Sequence, residues 1–217
     1  MKLNKYIDHT LLRADASEKE ITKLCKEAKK YNFASVCVNP SNIKLAKKLL
    51  AGSDVMVCTV IGFPLGQMTT EAKVFEAKDA CLKGAKEVDM VLNIAALKDK
   101  KLAYVTKEIA TIKKECAKHK AILKVIIETC LLTNAQKIDA CKCVSKAKAD
   151  FIKTSTGFST SGATVADVKI LRKYTDKKVK VKAAGGIRSY QDAIDMIKAG
   201  ANRLGTSKGV MLMEGNK

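Results

Sequence analysis

The chain has 217 residues, 47% hydrophobic and 29% charged, which suits one large folded domain and excludes a disordered or low-complexity protein. Its formal net charge of +19 rests on 41 basic residues, of which only Arg13, Arg172, Arg188 and Arg203 are arginines. Nucleic-acid readers lean on arginine forks and stacked aromatics; with 5% aromatics and no Trp, this charge reads as a lysine-rich solvated surface, and no nucleic-acid partner is expected.

The first residues, Met1 to Asp8, include lysines but no apolar run behind them, so no secretory leader is expected. The longest apolar runs, such as Val55-Met56-Val57-Cys58, are strand-sized and far short of the ~18 residues of a membrane span. These features predict a cytoplasmic protein with no membrane partner. Strand-like segments then alternate with helical ones, the strands being predicted at Tyr6–Leu11, Phe33–Asn39, Asp54–Gly62, Glu87–Ile94, Ala121–Thr129, Asp150–Ser155, Val179–Ala184 and Asn202–Thr206. The first helix is announced by the capping box Ser17-x-x-Glu20, and Asn39-Pro40 puts Pro at the first helical position of the next. Thr133-x-x-Gln136 is a second box, Ser189 caps the helix that begins Tyr190-Gln191-Asp192, and Gly84 and Gly200 stand where helices should end. Several strands are apolar nearly throughout, as parallel strands covered by helices should be. The pattern predicts a (β/α)8 TIM barrel, one domain over residues 1–217, with a doubly wound open sheet as the alternative. Only Ser207–Lys217 follow the last strand, so the eighth helix should be short or missing.

The eight cysteines form no C-x-x-C pair; the nearest spacing is Cys141-x-Cys143, and all eight read as reduced, mostly buried thiols. With only His9 and His119, no metal site and no cofactor are expected. In a barrel, chemistry sits at the C-terminal ends of the strands, where this sequence offers Asp8, Cys37, Asp89, Lys124, Lys153 and Lys182. A lysine inside an apolar strand is costly unless paired or neutral, and here three fall on consecutive strands. Burial and a neighbouring cation both favour the neutral amine, so the cluster suggests a Schiff-base former. Asp89 would balance a lysine or move protons. Period two puts Lys180 on the side of Lys182, and nothing in the sequence accounts for it. Gly185-Gly186 and Gly205-Thr206-Ser207 follow the seventh and eighth strands, where barrels bind phosphate, and Thr154-Ser155-Thr156-Gly157 adds hydroxyls on an adjacent loop. On these residues alone, a different Schiff-base aldolase or a sugar-phosphate isomerase stays open.

The segments Ile7-Asp8-His9-Thr10-Leu11-Leu12, Val36-Cys37-Val38, Val88-Asp89-Met90-Val91, Leu123-Lys124-Val125-Ile126-Ile127-Glu128-Thr129, Lys153-Thr154-Ser155-Thr156-Gly157 and Lys182-Ala183-Ala184-Gly185-Gly186-Ile187-Arg188 resemble the deoxyribose-phosphate aldolase family. The likeness runs in order to Arg203-Leu204-Gly205-Thr206-Ser207 and so covers nearly the whole chain. It implies a metal-independent class I aldolase that cleaves 2-deoxy-D-ribose 5-phosphate to acetaldehyde and D-glyceraldehyde 3-phosphate. By the same resemblance Lys153 is the Schiff-base lysine, and Lys182 favours its neutral form and takes part in proton transfer. Asp89 moves protons with Lys124 as its electrostatic neighbour. Asp8, Thr10, Cys37 and Thr156 contact the substrate, and Gly157, Gly185, Gly186, Gly205 and Ser207 face its phosphate. Lys208 stands where the family more often has a second Ser, adding a cation near the phosphate. Some members carry a C-terminal Tyr, whereas this chain ends Glu214-Gly215-Asn216-Lys217. A dimer and a tetramer are both open.

Overall fold

The computed structural model describes residues 2–215, in which eight parallel strands close into a barrel. They are β1 (Ile7–Leu11), β2 (Ser35–Val38), β3 (Met56–Ile61), β4 (Glu87–Val91), β5 (Ile122–Ile126), β6 (Phe151–Lys153), β7 (Lys180–Ala184) and β8 (Arg203–Thr206). Each lies inside the segment predicted for it. β1 pairs with β8 through Ile7↔Leu204, Asp8↔Gly205 and His9↔Thr206, which rules out the open sheet.

Around the barrel run α1 (Glu18–Tyr31), α2 (Ile43–Leu49), α3 (Thr70–Lys83), α4 (Ile94–Lys98), α5 (Leu102–Lys118), α6 (Asn134–Lys146), α7 (Val165–Tyr174), α8 (Tyr190–Lys198) and α9 (Gly209–Glu214). The capping boxes read at Ser17 and Thr133 and the cap read at Ser189 are all formed, the last also as a reciprocal box with Asp192, and such caps contribute about 1 kcal/mol each. Pro40 opens a single 3-10 turn, Pro40–Asn42, and α2 starts only after it. Helix α1 shows why these segments dock: Ile21, Leu24, Cys25 and Ala28 fall at i, i+3, i+4 and i+7 and are buried. The last helix is the expected stub, one and a half turns pinned by buried Leu212 and by the Tyr31 hydroxyl, which donates to Glu214 Oε1 at 2.9 Å. Asn216 and Lys217, the end of the segment that lacks the C-terminal Tyr of some aldolases, lie outside the described residues.

Every residue of β2, β4 and β8 is buried, because helices cover one face and the barrel interior the other. Inside, the β1–β3 side is apolar, with Leu12, Cys37, Cys58 and Val60 packed against Phe63. All eight cysteines are free thiols, and only Cys130 is not buried. No helix among the described residues is long and apolar enough to cross a membrane.

Candidate active site

The other side of the interior is charged. Strand alternation turns Glu87 and Asp89 of β4 inward on one face, opposite Lys124 of β5, Lys182 of β7, Arg203 of β8 and Asp8 of β1. Lys124 Nζ donates to Glu87 Oε2 at 2.6 Å and to Asp89 Oδ1 at 2.8 Å. The other Asp89 oxygen, Oδ2, accepts from both Lys153 Nζ at 2.9 Å and Lys182 Nζ at 2.8 Å. Lys182 also reaches Asp8 Oδ2 at 2.6 Å. Arg203 closes the far side, its Nε 2.7 Å from Asp8 Oδ1 and its Nη2 on Asp8 and on both Glu87 oxygens. Three carboxylates thus face four cations, with one positive charge in surplus.

Burial opposes charge on Asp8, Asp89, Lys124 and Lys182, so their partners must outweigh it. They do. Burial alone would raise Asp89, yet Lys124, Lys153 and Lys182 hold its carboxyl well below the usual carboxylate range. Asp8 is lowered in the same contest by Lys182, Arg203 and Lys124. Conversely, burial disfavours the Lys124 ammonium, but Asp89, Cys58, Glu87 and Asp8 push it well above the usual lysine range. Lys182 is raised likewise, by Asp8 and Asp89. Asp89 therefore starts as an ionised acceptor in direct contact with an amine.

A cavity of about 780 Å³ opens over the C-terminal ends of β6, β7 and β8. Lys153, the last residue of β6, lines it; Lys124 and Lys182, two residues short of their strand ends, lie below. Thr10, Thr156, Gly157, Gly185, Gly186, Gly205 and Ser207 line it as well, together with Arg13, Arg188 and Lys208, so cations ring the mouth. Thr206 stitches two of the loops, its hydroxyl donating to Ile187 O at 3.0 Å and accepting from Lys208 N. A second cavity of about 450 Å³, between α1 and α9, is lined by none of Lys124, Lys153 and Lys182.

Several expected placements change. Asp8 does not line the cavity: Lys182, Arg203 and Ser35 hold its fully buried carboxylate, so it belongs to the charge layer and not to the substrate-hydroxyl contacts. Cys37 is likewise sealed below, beside Cys58 in the apolar cluster. Gly205 keeps its place in the cavity lining and is tightly packed as well, since a Cβ there would stand 3.1 Å from Lys182 Cε and 3.0 Å from Ala184 Cβ. Lys180 is exposed at the start of β7, its ammonium 5.8 Å from the Phe151 ring centroid, which accounts for its pattern.

Cys37, Cys58 and Asp89 bring their donor atoms within 4.8 Å of one another, a spacing a metal ion accepts. Lys124 already takes that position, its Nζ 3.2 Å from Cys58 Sγ and 2.8 Å from Asp89 Oδ1, and the surplus positive charge around it opposes a second cation. Both histidines are turned elsewhere, His9 onto Glu27 at 2.8 Å and His119 toward Glu115 at 3.4 Å.

Glu87, Arg203, Cys58 and Gly162 are the functional neighbours that sequence reasoning missed. Period two from Asp89 reaches Glu87 and from Gly205 reaches Arg203, and that signal was available. Gly162 has no such signal: a Cβ there would fall 2.3 Å from the Gly185 carbonyl, a contact set by the tertiary fold.

The model of the DeoC/LacD family aldolases matches residues 2–212. Over 214 residues, 99% of this chain and 95% of the relative, the sequence is 57% identical to the deoxyribose-phosphate aldolase of Clostridium perfringens. It is 56% identical to that of Streptococcus sanguinis over 100% of this chain and 98% of the relative. Among solved structures, the aldolase QR15 superposes with a TM-score of 0.93 at 42% identity, over 98% of this chain and 94% of that one. The tetrameric deoxyribose phosphate aldolase of Aeropyrum pernix gives 0.90 at 35%, over 99% and 90%. In sequence and in barrel fold the likeness thus runs over nearly the full length, and the chain belongs to the DeoC/LacD aldolase family.

Proposed function

We propose that the protein cleaves 2-deoxy-D-ribose 5-phosphate reversibly to acetaldehyde and D-glyceraldehyde 3-phosphate through an imine on Lys153, the whole chain acting as one cytoplasmic catalytic domain. The observation that carries the reading is the single amine that lines the cavity from the interior set: Lys153, hydrogen-bonded to ionised Asp89 at 2.9 Å. The neutral amine attacks the C1 aldehyde of the open-chain sugar, and loss of water gives the imine. Protonated, the imine draws the electron pair of the C2–C3 bond as the C3 hydroxyl loses its proton; glyceraldehyde 3-phosphate leaves and an enamine stays on Lys153. Protonation at C2 and hydrolysis then release acetaldehyde. Asp89 is within hydrogen-bond reach of the amine, so it can take a proton there and return it. Lys124 and Lys182 keep it ionised between these events.

The experiment is reduction with borohydride in the presence of acetaldehyde and excess EDTA, followed by peptide mapping. The stable adduct should sit on Lys153, and turnover should survive the chelator. A label confined to Lys124 or Lys182, or turnover lost to EDTA and restored by zinc, would overturn the assignment.

The cation-ringed mouth supports a phosphate at Gly157, Gly185, Gly186 and Ser207, with Arg188 and Lys208 nearby. Gly186 has φ +77 and its nearest neighbour to a Cβ, Gly162 Cα, is 4.0 Å away, so the space there is open. Gly186→Asp would fill it with a like charge, and KM for the phosphorylated sugar should rise at least about tenfold. Unphosphorylated 2-deoxyribose should be much less affected; equal effects on both sugars would remove the phosphate from this corner. Self-association belongs to the same reading, supported by Phe75 and Leu82, which stand 71% and 66% exposed on α3.

A further inference from the structure

Glu128 follows β5 in the left-handed region, at φ 51 and ψ 69, and its side chain is buried. Among the described residues no cation lies within 4 Å of its carboxylate, unlike the acids of the interior layer. Its two oxygens instead accept from the Thr156 amide at 3.2 Å and the Thr156 hydroxyl on another element, with a long contact of 4.0 Å from the Cys130 thiol beside it. That hydroxyl in turn accepts from the Phe158 amide at 3.0 Å. Around the same turn, Thr129 N donates to Thr154 O at 2.9 Å and Ile127 N to Lys153 O at 3.0 Å. The residues after β5 therefore grip the first residues of the loop that follows Lys153.

A carboxylate suits this position for a chemical reason. Thr156 presents two donors, and one lone pair of its hydroxyl is taken by the Phe158 amide. A carboxylate offers each donor its own acceptor, whereas a carboxamide would present an NH2 at one end and leave a single oxygen to serve both. An anion held without a counter-cation, a few residues from where a phosphate is to bind, is costly unless its hydrogen bonds do something specific. We propose that Glu128 is a positioning residue for substrate binding: acting through Thr156, it sets where Gly157 and Phe158 stand against the phosphorylated end of the sugar. The role rests on the aldolase reading above for its substrate, and not for its geometry.

The test is a double-variant cycle in the full chain with Glu128→Gln and Thr156→Val, singly and together. Each single variant should raise KM for the phosphorylated sugar about tenfold or more, and Glu128→Gln, which does not itself line the cavity, should change kcat by less than about threefold and leave KM for unphosphorylated 2-deoxyribose nearly unmoved. Because both act through one contact, the double variant should match the worse single within about twofold. Amide hydrogen exchange of residues 154–158 should accelerate in Glu128→Gln while the strands stay protected. Multiplying effects in the double variant, equal KM changes for the two sugars, or faster exchange with unchanged KM would each overturn the role. Absence of a borohydride adduct on wild-type Lys153 would instead defeat the aldolase reading. The exchange measurement would then still report whether Glu128 holds the loop, and unaltered exchange would end the proposal.

Discussion

Replacing Lys153 with Met should lower turnover by about four orders of magnitude or more and abolish trapping of acetaldehyde, because a covalent intermediate without its nucleophile has no substitute route. The barrel should nevertheless stay folded. Met keeps the length of the stem, and Asp89 retains Lys124 and Lys182, each at 2.8 Å. The variant also removes the surplus cation, leaving Asp8, Glu87 and Asp89 matched by Lys124, Lys182 and Arg203. Urea unfolding should therefore move by no more than about 1 kcal/mol. Residual turnover within about tenfold of wild type would show that another amine can form the imine. A large loss of stability would show that Lys153 is needed to hold Asp89 in place.

Arg203→Met should do the reverse, costing about 3–5 kcal/mol of stability, the range for stripping one partner from a buried ion pair. Its guanidinium serves both Asp8 and Glu87, and no single lysine reaches the outer oxygens of both. The pH dependence follows from the directions of the shifts. Asp8 and Asp89 are lowered, so they add stability above the ordinary carboxylate value of 3.8 and lose it as pH falls through their folded values. Lys124 and Lys182 are raised, so they add stability below the ordinary lysine value of 10.5 and lose it as pH rises through theirs. Between these limits the layer contributes a plateau. Without Arg203 the depression of Asp8 weakens, and the acid limb should begin at higher pH. Urea titrations across pH measure both effects; a cost under about 1 kcal/mol at neutral pH would mean that the lysines alone satisfy the acids.

Much of the barrel was legible because its signals are local. Capping boxes at Ser17 and Thr133 and apolar strand cores repeat along the chain, and each strand formed within its predicted segment. Lys124, Lys153 and Lys182 were conspicuous because ammonium groups in buried strands contradict their surroundings. Depth was harder to read. Asp8 is the second of the five residues of β1, well short of its C-terminal end, and Cys37, one residue short of the end of β2, packs into the apolar cluster, so neither reaches the cavity. Arg203 opens its strand, where a charged residue looks like a solvated boundary, and only closure brings it to Glu87. Glu128 was visible within a family-like segment, but its partner, Thr156, is 28 residues away, and no periodicity links them.

The seam where the last strand meets the first also governs timing. Asp8 and Arg203 are 195 residues apart along the chain, so their pairing is among the most non-local events available to it. Such contacts form late, after the entropy of closing a long loop has been met. Until β8 arrives, Asp8 and Glu87 lack their guanidinium, and a half-made interior would hold acids short of partners. A ribosome-bound chain could stack seven βα units and still own no finished charge layer. When the final strand docks, ring closure and the birth of the reaction centre become one cooperative step.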